Sequence, residues 1–185
     1  MNAMNDYFGK LLIASPKLDA TPFCRSVIYV FQDNDNATVG VILNRPADNQ
    51  VQEAWRGMVG SHSSDGLLSI GGPLAGPVFA IHCEQEAGEA VLPNGFFTAT
   101  KEQNLQFIAK NHAHPYQVFF GLSGWQKGQL AQEIANGNWL AAEPENEIFF
   151  SNECDLWTKA IRMIENRFLK NVLNVKHIPP NILDN

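Results

Sequence analysis

The sequence predicts an α+β fold: a single domain with a mixed, mainly antiparallel sheet flanked by helices. Three observations carry this reading. Apolar, β-branched runs follow one another with only a turn between them, so neighbouring strands pair directly and only some pairs have a helix between them. Other stretches repeat apolar residues at helical spacing. The chain has 185 residues and 45% hydrophobic content, which suits one core, since domains usually run to about 100–200 residues. The domain is read as residues 1–170 and the tail, with Pro179-Pro180, as 171–185.

Lys10 to Ala14 reads as the first strand, ended by Ser15-Pro16. Ser26 to Phe31 is β-branched and aromatic, the turn cluster Asp33-Asn34-Asp35-Asn36 follows, and Val39 to Leu43 resumes the pattern, which together make an antiparallel hairpin. Pro46 forbids a continued ladder, so the side chains of Asn44 and Arg45 are released for other work. Val51, Ala54, Trp55 and Met58 form the stripe of an amphipathic helix. Residues 61–66 read as a polar loop, Leu67 to Ile70 as a strand, Gly71-Gly72-Pro73 as a sharp turn and Val78 to His82 as another strand. Gly88 to Leu92 reads as a further strand and Pro93-Asn94-Gly95 as a turn before Phe96-Phe97. Thr100 with Gln103 matches a capping box for a helix from Lys101 to Asn111, with Leu105, Ile108 and Ala109 inward.

Val118 to Leu140 combines a short apolar strand, a glycine-rich turn through Gly121, Gly124 and Gly128, and a helix stopped at Asn136-Gly137. Leu130 and Ile134 share one helical face, and Gln129 and Glu133 share another that points to solvent or a cleft. Trp125 and Trp139 bracket the helix, and each brings an indole N–H that needs a partner when buried. Ile148-Phe149-Phe150 reads as a strand, and Trp157, Ile161, Ile164 and Phe168 set the stripe of a last helix from Asp155 to Leu169.

The run from Gly121 to Leu140 resembles the signature of the YqgE/AlgH family, uncharacterised bacterial proteins sometimes labelled transcriptional regulators. Leu11 to Pro16 with Arg25 to Val30, Val39 to Pro46, and Gly71-Gly72-Pro73 followed by His82 resemble the family's other blocks in the same order. The resemblance spans residues 10–165 and implies a regulatory role. Where family members commonly have Cys-Glu-His, this chain has Phe31-Gln32-Asp33. It also lacks the usual Arg between the Gly-Gly-Pro turn and the histidine, and has Leu122 where an aromatic residue is usual. The resemblance therefore implies a cleft less polar than in other members.

A formal charge of −6 opposes attraction to a phosphate backbone, and no basic cluster offsets it, so direct nucleic-acid binding is not expected. No run is long enough to span a bilayer, and the N-terminus lacks the basic start and apolar core of a secretion signal. Cys24, Cys83 and Cys154 are widely spaced and odd in number, as suits free thiols in the cytoplasm.

Enzymatic chemistry finds little spacing to support it. Gly121-Leu122-Ser123-Gly124-Trp125 begins like a nucleophile elbow, but Trp125 stands where that turn needs glycine. His112 and His114 form H-x-H at a helix end and His82 adjoins Cys83, without a zinc spacing. Gly71-Gly72-Pro73 lacks the Lys and Ser/Thr of a phosphate loop. Arg25 beside Cys24 offers a thiol-redox alternative. The expectation is no metal, no cofactor and no catalytic residue. Instead, Asn44, Arg45, Gly71, Gly72, Pro73, His82, Gly121, Gly124, Trp125, Gln129 and Glu133 would line a surface cleft for a small molecule or protein partner, with a hydrolase or thiol-redox enzyme as the alternative. Arg45 is expected to meet Glu133 across it; His82 reads equally as a core or a cleft imidazole. Oligomeric state is left open.

Overall fold

The computed structural model of the chain describes residues 6–59, 68–111, 115–150 and 155–172. The fold is α+β, and its strands divide into two five-stranded sheets. The first has the order β10-β1-β2-β3-β9, from β1 (Leu11–Ala14), β2 (Val27–Asp33), β3 (Ala37–Ile42), β9 (Ser123–Gln126) and β10 (Trp139–Ala142), all antiparallel. The second has the order β4-β8-β5-β7-β6, from β4 (Leu68–Ile70), β5 (Phe79–His82), β6 (Ala90–Val91), β7 (Phe97–Ala99) and β8 (Tyr116–Phe120). Its β4–β8 pair is parallel.

The sheets face each other across the main core. Leu11, Ile13, Val27, Tyr29 and Val41 from the first meet Phe79, Ile81 and Phe119 from the second, as the alternation of side chains on a strand requires. Helices α4 (Asn146–Phe149) and α5 (Leu156–Val172) join this core through Ile148, Phe149, Leu156, Ala160 and Met163. The outer face of the first sheet, with Leu12, Ile28, Val30 and Ile42, packs on Trp125, Trp139 and α3 (Gln129–Ala135). The outer face of the second is covered by α1 (Asn49–Val59) and α2 (Glu102–Asn111).

Several sequence expectations are corrected. Residues 148–150 do not form a strand: Ile148 and Phe149 lie in α4, where Phe149 packs edge-on to Tyr29 at 4.8 Å between ring centroids. An apolar triplet this short has no period that separates strand from helix. Residues 121–124 are not a strand-to-helix turn, because the chain passes from β8 directly into β9, in the other sheet. On α1 the buried residues are Gln52, Trp55 and Val59, while Ala54 and Met58 are exposed. The Gln52 amide donates to the Leu68 carbonyl at 2.7 Å and accepts from the Leu68 N–H at 3.1 Å, so a polar residue on the inner face ties α1 to β4. Nor does Gln103 complete a capping box: the Glu89 carboxylate accepts from Thr100 Oγ1 (2.6 Å), Lys101 N (2.8 Å) and Asn104 Nδ2 (2.8 Å) at the start of α2. Partial desolvation pushes the Glu89 pKa up, but these bonds outweigh it and hold the pKa at about 2.

Candidate functional site

Two crossings stitch the sheets together, and both run through the residues singled out in the sequence. After β3 the chain leaves the first sheet at residues 43–47 and runs beside β4, with Ile70 N donating to Arg45 O (2.7 Å) and Ala47 N to Leu68 O (2.8 Å). Gly71 is the seam. Its N–H donates to Phe120 O (2.8 Å) in the second sheet, while its carbonyl accepts from Ile42 N (2.9 Å) and from Ser123 Oγ (3.0 Å) in the first. A Cβ at Gly71 would lie 2.3 Å from Gly121 O. Gly121 needs glycine twice over, since its φ is +75° and a Cβ there would lie 2.7 Å from Gly72 O. Leu74 and Leu122 then exchange both backbone hydrogen bonds at 2.9 Å. Gly71, Gly72, Gly121 and Gly124 therefore meet at one seam, with Pro73 exposed beside it.

A second cluster forms on the outer face of the first sheet. One Glu133 oxygen accepts from the indoles of Trp125 (3.0 Å) and Trp139 (2.8 Å), and the other accepts from Gln129 Nε2 (2.9 Å). The two indoles meet edge-to-face at 5.8 Å, and Phe23 packs on both, at 6.4 Å from Trp125 and 5.5 Å from Trp139. The expected Arg45–Glu133 pair is not formed. Arg45 donates instead to the carbonyls of Pro22 and Cys24 (the latter at 3.5 Å) and to Ser26 Oγ (3.2 Å). Asn44 holds the same loop, accepting from Val27 N (2.9 Å) and donating to Arg25 O (2.8 Å). Arg25, at φ +49°, sets its guanidinium 5.5 Å from the centroid of the Trp157 ring. Arg45 thus holds the backbone on either side of Phe23 in sequence, while Glu133 holds the two indoles on which the Phe23 ring packs. Nothing in the local sequence pattern announced loop 22–26 as the link.

His82 joins neither cluster. It is fully buried on β5, accepts at Nδ1 from Glu84 N (3.2 Å), and its Nε2 makes no hydrogen bond among the described residues. Burial pushes the imidazole pKa below its ordinary value, against the opposing pull of the Thr98 backbone and of Glu84. Burial likewise raises the pKa of the Cys83 thiol. Ser123 is buried within β9 with its hydroxyl given to Gly71, and the Cys24 thiol lies 3.6 Å from Asp19 Oδ1. His112, His114, Cys154, the loop 61–66 and the tail beyond residue 172 lie outside the described residues. No group of three or more His, Cys, Asp or Glu among the described residues is placed to hold a metal ion, and no helix among them is long and apolar enough to cross a membrane.

A groove of about 410 Å³ runs between α4 and α5. Ile148 and Met163 floor it, and Glu145, Asp155, Thr158, Lys159, Arg162 and Asn166 line its walls. Local sequence pattern carries no sign of it, because only tertiary packing brings α4 beside α5.

The AlgH-like family model (DUF179) matches residues 11–168. A UPF0301 protein of Methylococcus capsulatus is 36% identical over 167 residues, covering 85% of this chain and 91% of the relative. Another, of Chlorobaculum parvum, is 35% identical over 163 residues, covering 83% and 84%. Among solved structures, the AlgH protein of Pseudomonas aeruginosa superposes with a TM-score of 0.70 at 19% identity, covering 97% of this chain and all of that one, a likeness of fold. A protein of Corynebacterium diphtheriae follows with a TM-score of 0.67 at 27% identity, covering 85% and 86%. With the family model spanning nearly the whole of the two sheets and their helices, this chain belongs to the AlgH-like (UPF0301) family.

Proposed function

We propose that the protein is a cytoplasmic, non-catalytic regulatory or adaptor module that binds a small molecule or protein partner at the glycine seam. One observation carries this reading: the polar side chains of the family blocks are spent on internal bonds, while apolar groups stay outside. Asn44, Arg45, Ser123 and Glu133 all bind other parts of the fold. Beside the seam, Leu74 is 51% exposed and Phe120 42% exposed, on backbone held by paired hydrogen bonds. A rigid, apolar ridge favours a protein partner, since such contacts gain from apolar burial without ordering a loop. The charge of −6 argues against DNA as that partner. Leu74→Ser with Phe120→Ser should leave the circular-dichroism spectrum unchanged and abolish co-purification of the partner. Turnover of a substrate that is lost on changing one seam residue would overturn the reading, as would salt-sensitive DNA binding by the isolated protein.

A further inference from the structure

The groove between α4 and α5 lies apart from the seam, and its charges are unequally engaged. Glu145 accepts from Arg167 at 3.2 Å. Asp155 caps α5 by accepting from Thr158 N at 3.0 Å. Arg162 makes no hydrogen bond or ion pair among the described residues, and its influence on Asp155 is through space. The floor is firm, because Ile148 and Met163 are buried members of the core between the sheets. Thioether and branched aliphatic surfaces there accept apolar bodies of varied shape.

From this arrangement we infer that the groove binds a small amphipathic monocarboxylate, its carboxylate on Arg162 and its apolar body on Met163 and Ile148. Lys159 on the same wall already has a partner, so among the described residues the Arg162 guanidinium is the groove cation without a hydrogen bond or ion pair, and it matches a carboxylate in a forked, charge-assisted bond. A cation would have to compete with Arg167 for Glu145. Lys159 and Arg162 face Asp155 and Glu145, two charges of each sign, and a single uncommitted guanidinium fits one carboxylate rather than two. The volume is of the size usual for small-molecule sites, about 300–1,000 Å³.

The test uses the full chain labelled with ¹³C at the methionine methyl groups, the Met163 signal being assigned from Met163→Leu. Hexanoate, hexylamine and hexanol serve as probes of equal length and different charge. Hexanoate should shift the Met163 signal saturably, and the other two should not displace it. Arg162→Gln should weaken hexanoate binding about tenfold, as loss of a charge-assisted bond does, and Arg162→Lys should restore part of it. Arg162 is exposed and bonds to nothing described, so both variants are expected to fold. The inference is overturned if hexanoate gives no saturable shift at Met163, if hexylamine binds equally well, or if Arg162→Gln binds hexanoate like the parent. The seam takes no part in this experiment, so its outcome leaves the proposed function to its own test.

Discussion

Glu133 gathers two indole N–H groups and one amide N–H on a single carboxylate, so its neutral isostere is not a conservative change. A glutamine there keeps one acceptor and turns an NH₂ toward donors. Glu133→Gln should therefore cost about 1–3 kcal/mol in denaturant unfolding, with a shift in tryptophan emission. An unchanged midpoint would show that one amide oxygen serves both indoles as well as the carboxylate does. His82 sets a pH dependence whose sign follows from burial. Its native pKa lies below the ordinary value, so the neutral form is favoured by folding and its contribution is complete above the unfolded pKa of about 6.5. As the pH falls through that value the unfolded chain takes up the proton first, and stability drops by at most about 1.4 kcal/mol per pH unit until the native pKa is reached. Urea midpoints from pH 7.5 to 5 should fall more steeply for the parent than for His82→Gln; parallel curves would remove His82 from the titration.

At the scale of elements, the glycine turns are seams between sheets. Gly71→Ala drives a methyl group to 2.3 Å from the Gly121 carbonyl, and relief requires β8 to part from β4. The expected cost is about 1–3 kcal/mol or more, as for other overpacked sites. Gly57→Ala on α1 is the control: a Cβ there meets nothing within 4 Å, so helix propensity alone should add about 0.5–1 kcal/mol. Thermal unfolding of the two variants reads both signs, and equal shifts would refute the seam. The glycines mark a turn after β8, but in sequence it reads as strand-to-helix, and nothing local shows that β9 follows. Ser123–Gln126 holds a glycine and two polar residues, and only its pairing with β3 makes it a strand.

For the whole molecule, Phe149 on α4 is one of the residues that join the helices to the inter-sheet core, and it touches aromatic rings from both sheets' segments. Its ring lies 4.8 Å from Tyr29 in the first sheet and 4.6 Å from Phe96, which precedes β7 of the second. Phe149→Ala should cost about 3–5 kcal/mol. Because both sheets rest on the same cluster, near-ultraviolet and far-ultraviolet signals should still unfold in one transition. Separate transitions would mean that the sheets are stable independently.

The sequence by itself determined what depends on neighbours in the chain: the α+β class, the β2–β3 hairpin, the inward face Leu105, Ile108 and Ala109 of α2, and the Asn136-Gly137 stop. Periodicity, turn chemistry and capping act over a few residues and are written in local order. Only the tertiary structure decided what depends on partners far along the chain. The division into two sheets, the capture of loop 22–26 by Arg45, the service of Glu133 to two indoles and the groove beside α5 are of this kind. Arg45 could reach several acceptors of similar strength. Which one it takes is settled by where the backbone of loop 22–26 lies, and the packing of Phe23 on Trp125 and Trp139 puts it there.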